Sequence, residues 1–427
     1  MPNSSLHTAA SSKNSHKLKQ LFITSLLDFT AFGIIMPLLP FIFSTNPEKG
    51  LFAANYTQPT LTTYYGLLLG VFSICSFLSS PLLGALSDRI GRKKVFLLAY
   101  LVNFVSYGLI LSGCWLQSIS LFFIARILHG CLGVTQITLQ SAIADLSTPQ
   151  TSAKNFGIVG VTFGLGFVVG ILIDVGLQTL HWFSYELAIG LAMGICFVNI
   201  IYLHFFMPET LQNPTHKPLY WFTGVLNVKK AFSEPRFRLL FLTIFALTIG
   251  FIFFVQFFQY FVTLRFHLDF NGTGLILIYT GLLIALMQQL ALPWFSKRFE
   301  PKILLRYFIP LFGLGFAALL LPTQVWQLVV MLPLLVFFQS IVFPCLLALV
   351  SDLATPSEQG QIMGINQSVQ ALANALPPIL IGFAVGHNVA FALAPGMVGS
   401  LIATWLYFRY QAKSKLQSSI SSFNKSA

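Results

Sequence analysis

The sequence predicts an all-α membrane protein, with 12 transmembrane helices in two pseudo-symmetric six-helix bundles. Three observations lead there. The 427-residue chain is 56% hydrophobic and only 8% charged, with a mean hydropathy of +0.79, whereas a soluble domain carries about 25% charged residues. Its apolar residues fall into runs of roughly 20, the length a helix needs to cross a bilayer, and in lipid the backbone polar groups must be satisfied within the span. One segment also occurs twice. DLSTPQTSAKNFGI from Asp145 returns as DLATPSEQGQIMGI from Asp352, at a constant offset of 207 residues, which marks an internal repeat.

Residues 1–20 lack an apolar core and read as a polar cytoplasmic tail, not a cleaved signal. The first bundle, 21–206, contains the runs Leu21–Phe43, Tyr64–Leu86, Val95–Gly113, Ile119–Ala144, Phe156–Leu177 and Ser184–Phe206. Residues 207–238 carry Pro208, Pro214, Pro218 and Pro235 among lysines and arginines, and read as a cytoplasmic linker. YWFTGVLNVKKAF within it has the pattern of a short amphipathic helix lying along the interface. The second bundle, 239–409, contains Leu239–Leu264, Gly274–Phe295, Ile303–Pro322, Val325–Val350, Ile362–Gly386 and Val389–Phe408, and 410–427 form a second cytoplasmic tail.

A net charge of +12 is compatible with nucleic-acid binding, but the placement of the charges excludes it. Of 24 Lys and Arg, all but Lys49, Arg126 and Arg265 lie in tails, loops or span ends that share one side. That asymmetry sets topology: both termini are expected in the cytoplasm, Lys49 and Arg265 outside, in a bacterial inner (plasma) membrane. The five cysteines lie in or beside apolar runs without metal or redox spacing, so they read as packing residues. No cofactor or metal is expected. The chain carries no nucleophile–base set of an enzyme and no repeated filter segment of a channel.

The stretch GALSDRIGRKK, Gly84–Lys94, lies between the second and third runs. It reads as a link of about eight residues in which Asp88, Arg89, Arg92, Lys93 and Lys94 follow one another, with Gly84 and Gly91 for turning or close approach. A cationic loop alone is an anchor found on any membrane protein. This order of residues, however, resembles the loop 2–3 signature of the major facilitator superfamily. WFSKRFEPK, Trp294–Lys302, is its decayed counterpart in the second half. The resemblance implies that family's fold and a cytoplasmic latch. In that latch Asp88 meets the start of the eleventh helix near Ser357–Gly360, and Arg92 pairs with Asp145.

Asp28 stands inside the first run, in D-x-x-x-x-G-x-x-x-P-x-x-P with Gly33, Pro37 and Pro40. A charge at bilayer depth costs about 2.5–3.5 kcal/mol even on lenient scales, so it should face a cavity or a partner. It reads either as a water-held residue near the cytoplasmic end or as a protonatable carboxylate. The string resembles the first-span signature of the drug:H⁺ antiporter branch, tetracycline exporters included. Arg126, followed by Gly130, resembles that branch's fourth-span motif, which lies near the proton pathway; the alternative is a buried ion pair. His129 reads as a packed polar residue or a relay. On the fifth run Gly160, Gly164, Gly166 and Gly170 have small-xxx-small spacing for helix packing. The run resembles the antiporter motif but has Ile171 and Asp174 where that motif has Pro and Gly. Asp174 is expected to be exposed near the periplasmic end. The third- and ninth-span carboxylates of the tetracycline exporters fall at Ser106 and about Pro310.

The second half has amides in place of charges. Gln256, Asn366 and Gln370, with Gln136 and Gln140 of the fourth run, read as interhelical bonds or as polar groups of an apolar substrate cavity. The expected function is proton-coupled secondary transport by a monomer, exporting a small amphipathic molecule of a multidrug or tetracycline-like kind. The alternatives are import or export of a metabolite or siderophore-like compound, and a non-transporting receptor on the same fold.

Overall fold

The computed structural model describes residues 3–45, 50–52, 55–146, 152–211, 223–352, 359–387 and 393–426. Among them the regular elements are helices: α1 Asn3–Ile42, α2 Gln58–Ile90, α3 Arg92–Trp115, α4 Ile119–Leu132, α5 Gln136–Asp145, α6 Ser152–Thr179, α7 Tyr185–Phe206, α8 Thr223–Ser233, α9 Arg238–Phe266, α10 Phe270–Ser296, α11 Pro301–Ala318, α12 Val325–Asp352, α13 Gln359–His387 and α14 Ala394–Ser426. Ten helical stretches of the described residues are long and apolar enough to cross a membrane. The two remaining expected spans correspond to α13 and α14.

Two local departures from the expected elements have clear causes. The fourth run is two helices, because Gly133, Val134 and Thr135 leave the helical path between α4 and α5. A glycine followed by two β-branched residues is weak helix. The link expected between the second and third runs shrinks to Gly91 alone, with φ 105° and ψ 149°, a backbone conformation natural only to glycine. The Gly91 N–H closes α2 on the Ser87 carbonyl at 3.2 Å, and α3 begins at the next residue.

An abrupt start leaves four N–H groups without helical acceptors. Glu209, just beyond α7, supplies two of those acceptors. Its Oε1 accepts from Arg92 N–H at 2.9 Å and its Oε2 from Lys93 N–H at 3.2 Å. The same carboxylate accepts from the N–H groups of Thr210 and Leu211 at 2.9 and 3.0 Å, which turns the chain away from α7. Lys93 Nζ donates to the His204 carbonyl in the last turn of α7 at 2.8 Å, where a cation meets the negative end of the helix dipole.

The chain divides into two compact units, Met1–Thr223 with Phe270–Ala285, and Gly224–Asp269 with Leu286–Ala427. In the first, α1 and α6 meet backbone to backbone. A Cβ on Gly33 would lie 2.6 Å from the Phe167 carbonyl oxygen, and one on Gly170 2.5 Å from that of Thr30. A Cβ on Gly166 would stand 2.7 Å from the Phe29 Cβ. Gly164, expected in the same seam, has open space around it. It lies on the opposite side of α6 from the packed face, so this part of the expectation is corrected. Gly160 is on the same helix, and its surroundings lie outside the described residues. Residues 274 and 281 of α10 pack on Val175 and Val168 of α6.

In the second unit an aromatic core joins α9, α11 and α12: Phe251, Phe312 and Phe343 have ring centroids 5.0–6.2 Å apart. The linker segment forms α8, with Ala231 buried and Phe232 edge-on to Phe245 at 5.4 Å. Asn227 donates to the Ser368 hydroxyl of α13 at 3.1 Å. Exposed Trp294 and Trp405 carry the guanidinium groups of Arg298 and Arg409, each at 4.0 Å. Aromatic–cation pairs of this kind suit the headgroup level of a membrane.

Candidate functional site

The break between α4 and α5 shapes the interior of the first unit. Non-helical backbone at membrane depth needs polar partners from the protein. Asn103 of α3 supplies one, donating Nδ2 to the Gly133 carbonyl at 3.2 Å. Gly133 must be glycine here, since a Cβ would collide with the Asn103 amide oxygen and lie 2.6 Å from the His129 ring. One turn earlier, a Cβ on Gly130 would lie 2.6 Å from the Phe72 carbonyl oxygen, so α4 lies directly on α2. Ser79 donates its hydroxyl to the Gly130 carbonyl at 2.8 Å.

The third residue of the break, Thr135, donates its hydroxyl to Asp28 Oδ2 at 2.6 Å. Asp28 is half-buried on α1, so its carboxylate is held at the point where the neighbouring helix is interrupted. Thr135 and Asn103 were not singled out from the sequence. The local signal was present in Gly-Val-Thr, a helix-weak triplet within an apolar run, but the partner on another helix was not.

Arg126 lies on α4 and is 3% exposed. Its Nη2 approaches the Met36 sulfur at 3.8 Å, and the guanidinium lies 5.8 Å from the Phe72 ring centroid. Its Nε has no hydrogen-bond partner. Among the described residues Arg126 forms no ion pair, so the buried-ion-pair reading is corrected. The charge is spread over a thioether and an aromatic face, which only partly offset the cost of burial. His129 sits edge-on to Phe72 and Tyr107, with centroids at 5.1 and 6.3 Å, the surroundings of a packed ring.

Asp174 departs from its expected exposure. It is 0% exposed, and neither carboxylate oxygen has a hydrogen-bond partner. Its place on α6 one turn beyond Gly170 turns it into the α1 seam, because residues i and i+4 share a helix face.

Arg92 is the hub of the signature segment. Its side chain, 6% exposed, bonds Asp88 Oδ1 at 2.6 Å and Asp145 Oδ2 at 3.0 Å, and donates to the buried Ser87 hydroxyl at 2.5 Å. Asp88 on α2 and Asp145 at the end of α5 are thereby tied to the start of α3. Arg89 is exposed, and a Cβ on Gly84 would make ordinary contact with Ile137 at 3.5 Å. The expected partner of Asp88 near Ser357 lies outside the described residues, as does Lys49.

The amide positions separate by burial. Gln136 is exposed, while Gln140, Gln256 and Gln370 are half-buried. Asn366 is 3% exposed, with its carbonyl oxygen buried and unpartnered. The carbonyl oxygens of Gln339 on α12 and Asn374 on α13 are likewise buried without a partner. Within the second unit, apolar helices thus carry several buried amide acceptors.

A family model described as Major Facilitator Superfamily matches residues 21–378. Mouse major facilitator superfamily domain-containing protein 10 is 26% identical over 429 residues, covering 88% of this chain and 89% of that protein. Tetracycline resistance protein, class C, of Escherichia coli is 26% identical over 372 residues, covering 86% and 89%. The crystal structure of the human organic anion transporter MFSD10 (TETRAN) aligns with a TM-score of 0.69 and 22% identity, over 92% of this chain and 99% of that one.

Proposed function

Because the chain belongs to the Major Facilitator Superfamily, we propose that it is a proton-coupled secondary transporter exporting a small amphipathic molecule by alternating access. That it is a multi-pass membrane transporter and not an enzyme follows from the family and from the apolar helices. Proton coupling, export, the inner membrane and cytoplasmic termini are the further reading. The carrying observation is the Asp28 carboxylate at membrane depth, held by Thr135 beside the break in the fourth span at 2.6 Å. Such a carboxylate can exchange a proton as its access to water changes. Asp88, Arg92 and Asp145 act as the cytoplasmic latch, and the amides Gln136, Gln140, Gln256, Asn366 and Gln370 contact the substrate. A tetracycline-like molecule is one candidate, from the relative of that name.

The test is transport in proteoliposomes under an imposed pH gradient, scored for a panel of amphipathic compounds. Wild type should accumulate a substrate against its gradient, and Asp28→Asn should retain only downhill exchange. Undiminished accumulation by Asp28→Asn removes Asp28 from the coupling.

A second reading concerns the charge of the substrate. Arg126 is a buried cation with no carboxylate partner among the described residues, which favours an anionic substrate to complete it. The structural relative described as an organic anion transporter agrees with this. Organic anions therefore belong in the panel, and their transport should be lost in Arg126→Gln if this reading holds.

A further inference from the structure

We propose that Asp174 is a second proton-binding site, separate from Asp28, which takes up a proton when the seam between α1 and α6 is dry. The inference rests on the proton-coupled reading for its role in the cycle, but the binding itself is a property of the seam. Asp174 is fully buried and both of its oxygens lack partners. An ionised carboxylate so placed keeps none of its hydration and gains no compensating bond; a neutral carboxyl needs far less.

In this state the seam leaves no room for water beside its glycines. Gly33, Gly166 and Gly170 bring α1 and α6 into backbone contact, with virtual Cβ distances of 2.5–2.7 Å. The next turn of α1 carries Ile34, Pro37 and Leu38, all buried. On the flank, Gly274 of α10 rests on Val175 and Ile171. The seam also contains a helical carbonyl without its usual i+4 donor. Residue 37 is proline, so the Gly33 carbonyl receives no helical N–H. A protonated Asp174 brings an O–H donor to this buried face of α6, whereas a carboxylate brings acceptors alone.

No neighbouring charge supplies another solution. The charged or titratable groups on the elements packed against α6 are His7, Lys13, His16, Lys17, Lys19 and Asp28 on α1, Asp145 on α5, Asp269 ahead of α10 and Tyr279 on it; His181 follows α6. Asp28 is taken by Thr135 and Asp145 by Arg92, and no ion pair to Asp174 exists among the described residues.

The test is infrared difference spectroscopy of the purified protein in lipid nanodiscs, with bulk pH as the only variable and no substrate present. Wild type should show two protonated-carboxyl bands that disappear as pH rises. Asp174→Asn should lose one, Asp28→Asn the other, and Asp174→Glu should shift the first without abolishing it. The Glu variant keeps the assignment testable if the Asn variant does not fold. A spectrum unchanged in both Asp174 variants overturns the proposal. Loss of the Asp174 band without pH-driven transport in wild type would leave the site standing and remove the transport reading instead.

Discussion

Thr135 donates its hydroxyl to Asp28 at 2.6 Å, and it is placed to do so because the fourth span stops being helical at Gly133. Inside a continuous helix a threonine hydroxyl usually turns back to its own backbone, as Thr30 does to Leu26 at 2.7 Å. The interruption aims Thr135 across to α1. A hydrogen bond to a charged group contributes about 1.5–3 kcal/mol. Thr135→Val keeps the shape, removes the donor and should cost about that much in stability while lowering pH-driven transport. Thr135→Ser should restore both. Thermal unfolding in detergent and proteoliposome transport read the two effects; a Val variant equal to wild type in both would show that the contact carries nothing.

Gly170 and Gly164 offer a paired comparison on one helix. A Cβ at Gly170 meets the Thr30 carbonyl at 2.5 Å and Gly33 backbone at 2.6 Å, neither of which can yield, while a Cβ at Gly164 meets nothing within 4 Å. Gly170→Ala should destabilise by about 1–3 kcal/mol through overpacking. Gly164→Ala should be neutral, or stabilising by up to about 1 kcal/mol through helix propensity. Melting temperatures of the two purified variants decide it, and equal losses would contradict the seam.

Glu209 should matter to the first unit although it lies past the end of α7. Its carboxylate accepts four N–H groups, two of them at the start of α3. Glu209→Ala removes a helix cap, worth about 0.5–2 kcal/mol. Hydrogen exchange should quicken locally at Arg92 and Lys93. Gly91→Ala should be worse than Glu209→Ala, because its φ of 105° disfavours a side chain and the new Cβ would run into the Glu209 carboxylate. Unaltered exchange at Arg92 in the Glu209 variant would rule out the cap.

Arg92 should not tolerate lysine. Its fork reaches Asp88, Asp145 and Ser87 at once, a geometry that an ammonium cannot match. Arg92→Lys should lower transport and raise the reactivity of cysteines introduced at the helix ends beside Arg92. Asp145→Asn should do the same to a smaller degree, its side chain being 21% exposed and its pairing weakened by solvent. Transport and labelling indistinguishable from wild type in Arg92→Lys would end the latch assignment.

What the sequence determined by itself was the fold and the family. Apolar runs of bilayer length have only one local solution in lipid, and the repeat beginning at Asp145 and Asp352 is visible letter by letter. Asp28, Arg126 and Arg92 were also legible, because a charge within or beside an apolar run is costly enough to need a reason. Their partners were not. Thr135 meets Asp28 across 107 positions, and Glu209 meets Arg92 across 117. A threonine after a valine and a glutamate after a proline carry no mark of a contact that distant. Asp174 makes the same point in reverse. Near the end of its run it read as exposed, and only the packing of α6 on α1, set by glycines on both helices, decided that it is buried. Hydrophobicity along the chain reports how deep a residue lies in the bilayer; which side of the helix meets another helix depends on shape, and shape exists only once the helices have packed.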